Sequence, residues 1–176
     1  MTFTRPRPTR SATLLSGSSS FPPRPALRLC LRKSLAGHWT LVDTYSHKSL
    51  YYISTHRSEA GNFVREIRRG SSDGPILATI SRQPSGSRCR LVFTDGGPEI
   101  QLKLPGKISI GCKLRFEAKG RQWFWKRDIV CNDSGRRRVC AGTDDGMLLV
   151  YEGSEDLLDI LAVGFIAMKS SISRYT

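Results

Sequence analysis

The sequence predicts a mainly β protein, a closed antiparallel β-barrel of about ten or more short strands around a central hydrophobic C-terminal α-helix. Three observations lead there. Short apolar runs recur at spacings of about ten residues, separated by Gly, Pro, Asp and Ser turn signals. Near the C-terminus, the stretch from Ser154 to Lys169 is apolar on every side of a helix. A closed sheet covers such a helix on all sides and removes the edges that an open sheet of that size would expose.

The strands follow in order. Leu27, Leu29 and Leu31 alternate with Arg28, Cys30 and Arg32, the period of a half-buried strand. A helix with Leu27, Leu31 and Leu35 on one face is the weaker reading of the same residues. Trp39–Asp43, Leu50–Thr55 and Asn62–Ile67 come next. A turn at Ser71–Gly74 leads into Ile76–Ile80, and one at Pro84–Gly86 leads into Arg90–Phe93. Ile100–Leu104 alternates cleanly. Ile108–Ala118, Gln122–Cys131, Arg137–Ala141 and Met147–Tyr151 complete the set. The turn Asn132-Asp133-Ser134-Gly135 sets Cys131 opposite Arg136, so Cys131 and Cys140 are not expected to face one another and no disulfide is expected.

The helix has Ser154 as its expected N-cap, with Glu155, Asp156 and Lys169 complementing the dipole. Leu157, Leu158, Ile160, Leu161, Val163, Phe165, Ile166 and Met168 point all round it, interrupted by Asp159. About 13 residues at about 1.5 Å each give about 20 Å, short of the roughly 30 Å hydrocarbon core of a bilayer. The helix therefore reads as enclosed by protein, along the barrel axis, with Gly164 where a bulky wall residue crowds the backbone. Burying about eight large apolar side chains is worth roughly 12–24 kcal/mol gross, before entropy.

Residues 1–25 are rich in Ser, Pro and Arg and contain no acid. They read as a disordered basic tail. A mitochondrial presequence shares that composition, but the prolines at 6, 8, 22, 23 and 25 work against the amphipathic helix that import needs. The domain is expected over 26–170, with a short tail at 171–176. Five cysteines without CxxC spacing, and the lack of a secretory h-region, place the chain in a reducing compartment, cytoplasmic and peripheral to a membrane, or mitochondrial if the tail is a presequence.

A barrel of short strands around a C-terminal hydrophobic helix resembles the tubby C-terminal-like fold, shared by tubby proteins, LURP-one-related plant proteins and phospholipid scramblases. Within it the chain is most similar to a fungal family of tubby-like domains without assigned function. Thr40-Leu-Val-Asp43, Tyr52-Ile-Ser-Thr55, Gly120-Arg-Gln-Trp-Phe-Trp-Lys126 and Leu157-Leu-Asp-Ile-Leu161 carry the resemblance, in that order. It implies a phosphoinositide-type ligand, although the lysine and arginine that contact it in tubby proteins map to no particular position here.

No GxSxG, HExxH, P-loop or GxGxxG pattern occurs, so no catalytic residue and no cofactor is expected. His38, His47 and His56 have no cysteine or carboxylate at ligand spacing, and no metal site is expected. Asp156 and Asp159 share a helix face, where a dipole and capping role outweighs that of paired catalytic acids.

The net charge is +13, of which +4 lies in residues 1–25. It favours anionic partners, though a merely solvated cationic surface has the same composition. The basic clusters are Arg65, Arg68 and Arg69, then Lys113 and Arg115, then Arg136, Arg137 and Arg138 beside a tight turn. Against an anionic leaflet each such charge contributes about 1 kcal/mol. Trp123 and Trp125 alternate with Phe124 among cations and offer two roles: a stacking platform for single-stranded nucleic acid, or wall residues packed on the helix. Packing is favoured, because an enclosed helix needs aromatic partners. The expected protein is thus a monomeric, non-catalytic binder of anionic phospholipid headgroups, with nucleic acid as the alternative partner. A scramblase-like activity ranks lower, because the helix is too short to span and no acidic calcium-binding run follows it. An enzyme ranks lowest.

Overall fold

The computed structural model describes residues 24–82, 88–96, 99–103, 114–118, 121–125, 130–133, 137–143 and 145–172. The tail readings for residues 1–23 and 173–176 lie outside these. Among the described residues twelve strands form one antiparallel sheet: β1 (Pro25–Lys33), β2 (Trp39–Asp43), β3 (Ser49–Arg57), β4 (Phe63–Arg69), β5 (Ile76–Arg82), β6 (Arg88–Phe93), β7 (Ile100–Lys103), β8 (Leu114–Ala118), β9 (Arg121–Trp125), β10 (Val130–Asp133), β11 (Arg137–Gly142) and β12 (Met147–Tyr151). The spatial order is β7-β6-β5-β4-β3-β2-β1-β12-β11-β10-β9-β8. Two up-and-down meanders are therefore joined where β1 pairs with β12, Leu29 opposite Leu148. Such local hairpin connectivity is what the closely spaced turn signals encode.

Eight strands of the sheet curl through 244° into an open half-barrel, and the C-terminal helix packs against it. The expectation of a closed wall goes further than this. Among the described residues β7 and β8 are the two ends of the sheet and do not pair with each other. Burial requires cover, and large side chains on a strongly curled sheet give cover without a hydrogen-bonded seam.

Period-two alternation decides which face is which. In β1 Leu29 is fully buried while Arg28 and Arg32 are exposed. Leu41, Ile53, Ile67, Ile80 and Leu91 continue the inner face across β2 to β6. Against them lies α1 (Leu158–Ile172), entered through a 3-10 turn at Glu155–Leu157. Residues 161–168 are buried without interruption, so this helix has no solvent face along two turns. It touches β5 and β12, and Gly164 meets the indole of Trp125 on β9. In the sheet, β5 and β9 are separated by β4, β3, β2, β1, β12, β11 and β10, so contact with both means the sheet bends around the helix.

Three local expectations are corrected. Gln122–Cys131 is two strands and not one: β9 and β10 pair antiparallel, Trp125 opposite Cys131. Residues 126–129, between them, lie outside the described residues. Ser154 does not cap the helix through its side chain; its hydroxyl is buried without a hydrogen-bond partner among the described residues, and its carbonyl accepts from the Leu157 amide to form the 3-10 turn. Cys131 and Cys140 do stand opposite one another in register. Asp133 pairs with Arg137, and a bulge between Cys131 and Asn132 shifts the register. That pairing and the extra residue of the bulge together move the partner of Cys131 from position 136 to 140.

Candidate functional site

The basic clusters are placed by strands that lie far apart. On β4 alternation sends Arg65 and Arg69 to the face of Ile67, and Arg68 to the other. Arg68 donates to the Glu66 carboxylate at 2.7 Å and to the Gly74 carbonyl at 3.2 Å. Arg69 donates to Asp159 at the start of α1, and Asp159 also accepts from the buried Tyr51 hydroxyl at 2.7 Å. Burial holds the half-buried Arg65 guanidinium below its ordinary range, partly offset by Cys89. Two of these three arginines are thus bound to carboxylates, and the β4 cluster is divided between two faces.

Arg138 on β11 is exposed, and in register it faces Asn132. Arg137 stands opposite Asp133. Arg136 and Lys113 lie outside the described residues, while Arg115 on β8 is in register with Phe124. Between β4 and β11 come β3, β2, β1 and β12, so the clusters are not neighbours in the sheet.

The sheet brings a different set of cations near Arg138. Arg24, Arg28, Arg32 and Lys33 are all exposed on or beside β1, which is separated from β11 only by β12. The Arg24 carbonyl accepts from the Glu152 amide at 3.5 Å, which ties this end of β1 to the residue that follows β12. Glu152 is the exposed acid of that corner. The signal for this surface was present in the alternation of Arg28 and Arg32 with leucines. What periodicity could not reveal is that the first strand lies beside the last.

The aromatic segment is interior. Trp123 and Trp125 are 2% and 0% exposed, and Phe124 is half-buried. The Trp125 Nε1–H is buried with no hydrogen-bond partner among the described residues. Stacking on a base requires an exposed ring face, so the platform role is overturned. Leu157, Leu161, Val163, Phe165 and Ile166 are buried with the two indoles in one core, and Leu158 and Ile160 pack against it half-buried.

The exposed apolar side chains Leu35, Tyr45 and Phe63 stand on separate hairpins, and the Arg57 guanidinium lies 4.4 Å over the Phe63 ring. His38 stacks on Tyr52 at 5.4 Å, and no group of three His, Cys, Asp or Glu among the described residues is arranged to hold a metal. No helix among the described residues is long and apolar enough to cross a membrane. The chain matches no protein-family model, no curated protein and no solved structure.

Proposed function

We propose that the protein is a non-catalytic, tubby-like module that binds anionic phospholipid headgroups at a membrane surface. The supporting observation is the set of exposed cations beside and on β1 and on β11, Arg24, Arg28 and Arg138, flanking β12. Guanidinium groups suit phosphate because their fork of donors matches its oxygens. The helix contributes by filling the interior, which leaves the outer face and the turns to meet a partner. Closure belongs to the same proposal. Because β7 and β8 are consecutive in the chain and stand at the two ends of the sheet, pairing them would complete a tubby-like barrel.

The test is flotation with vesicles of phosphatidylcholine alone and with added phosphatidylserine or a phosphoinositide. Binding should require the anionic lipid. Removing three cations at about 1 kcal/mol each corresponds to a loss on the order of 100-fold, so the charge reversal R136E/R137E/R138E should weaken binding by at least about that much. Binding that survives this change would show that the wrong surface was chosen. If single-stranded RNA binds the chain more tightly than anionic vesicles do, the lipid reading fails and nucleic acid is the partner.

A further inference from the structure

We propose that Cys131 and Cys140 form an oxidisable cross-strand pair, closed to a disulfide by hydrogen peroxide. The argument starts from register. Cys131 on β10 and Cys140 on β11 are direct partners in an antiparallel pair. Directly opposed residues in such a pair have Cα atoms about 4.5 or 5.5 Å apart, and disulfides bridge Cα separations of about 4.4–6.8 Å. Either kind of position therefore brings the two backbones within bridging distance. The bulge beside Cys131 is what creates this juxtaposition, since without the register shift the two residues would be offset. Neither Cys30 on β1 nor Cys89 on β6 has a cysteine as its register partner: Cys30 pairs with Met147 and Val42, and Cys89 with Arg82 and Leu102.

The row in which the pair sits gives the bond a structural consequence. Cys131 is flanked on its other side by Trp125, and Cys140 by Val150. Trp125 in turn packs on Gly164 of α1. A bond between the two strands would fix the part of the wall that supports the helix.

The chemistry balances with peroxide as the oxidant. The thiolate of one cysteine attacks the O–O bond, forming a sulfenic acid and releasing one oxygen as water after proton transfer. The sulfur of the second cysteine then attacks the sulfenic sulfur; the S–S bond forms, the S–O bond breaks, and a second water leaves. Two thiols and one peroxide become one disulfide and two waters. The sulfurs lose two electrons and the peroxide gains them.

The experiment uses the full reduced chain, treated with hydrogen peroxide, blocked with an alkylating agent and digested with trypsin without reduction. Cleavage after Arg127, Arg136, Arg138 and Lys169 separates the two cysteines, so the disulfide appears as peptide 128–136 joined to peptide 139–169. Its mass is about 2 Da below the sum of the two thiol peptides, and reduction releases both. The joined species should be lost in Cys131→Ser and should persist in a C30S/C112S variant, which keeps the pair and leaves the buried Cys89 in place. Recovery of both peptides singly alkylated after peroxide treatment, or of Cys131 joined to another cysteine, overturns the proposal. So does peptide 139–169 carrying sulfinic acid in place of the bond.

Discussion

A single hydrogen is all the room that Trp125 leaves at the Cα of Gly164. A methyl group built there would lie 2.6 Å from the indole Nε1 and 3.1 Å from Cε2. In an exposed helix, replacing glycine with alanine stabilises by about 1 kcal/mol. Here the opposing effect is overpacking against a rigid, fully buried ring, which costs about 1–3 kcal/mol. Gly164→Ala should therefore lower the melting temperature, by roughly 2–8 °C for a chain of this size. The change should also be coupled to its neighbour: in a Trp125→Phe background, where the pyrrole edge is gone, G164A should cost less than it does alone. Thermal unfolding followed by circular dichroism measures both. A rise in melting temperature for G164A alone would mean that the helix does not lie against β9. The crowding at Gly164 was legible in the sequence because a glycine in the middle of a buried helix calls for a close neighbour. That the neighbour is Trp125 was not legible, because it depends on the bend of the sheet.

At the scale of elements, the tie between α1 and the β3–β4 hairpin rests on Asp159. It is the one acid within the apolar part of the helix, and it accepts from Tyr51 on β3 and Arg69 on β4. The partners differ in weight. Arg69 is 57% exposed at its side chain, so that ion pair is largely screened by solvent. Tyr51 is only 3% exposed, and its buried hydroxyl depends on the carboxylate. Burial, then the hydrogen bond to Asp159 and its negative charge, push the Tyr51 hydroxyl well above the ordinary 10.0. A group whose proton is held more tightly in the folded state adds stability that is fully present below the unfolded pKa and is lost as pH rises through the folded value. Stability should thus decline progressively above about pH 10, and Tyr51→Phe should remove Tyr51's share of that decline at the expense of about 1 kcal/mol near neutral pH. Denaturant unfolding at several pH values reads this; an unchanged alkaline slope in Y51F would exclude Tyr51 as its source. The strands were largely legible because each is a short alternating run closed by its own turn. The Cys131–Cys140 register and the division of Gln122–Cys131 were not, since a bulge and a reversal leave no mark on a period-two pattern. The first turn of the helix misled for a similar reason: Ser154 is a residue type that suits a cap, but its hydroxyl is buried and makes no capping bond.

For the whole molecule the governing quantity is the net charge of +13. The candidate site was the part least legible in the sequence. Clusters that are local in the chain, such as Arg65 with Arg68 and Arg69, are divided by alternation, with Arg68 and Arg69 bound to carboxylates, whereas cations distant in sequence, Arg28 and Arg138, come two strands apart because the first strand pairs with the last. An excess of one sign also acts against the fold, since like charges repel in the compact state more than in the extended one. Screening should then have opposite effects on stability and on binding. Raising NaCl from about 0.02 to about 0.2 M shortens the Debye length from roughly 20 Å to under 10 Å. The melting temperature should rise, because self-repulsion is relieved. Binding to anionic vesicles should weaken over the same range, on the order of tenfold or more, because the attraction is long-range and the same ions screen it. Differential scanning fluorimetry and vesicle co-sedimentation on one salt series measure the two together. Melting that falls with salt would mean that local ion pairs such as Arg90 with Glu99 outweigh the excess charge. Vesicle binding that ignores salt would mean that apolar contacts, and not the arginines of β1 and β11, hold the protein to the membrane.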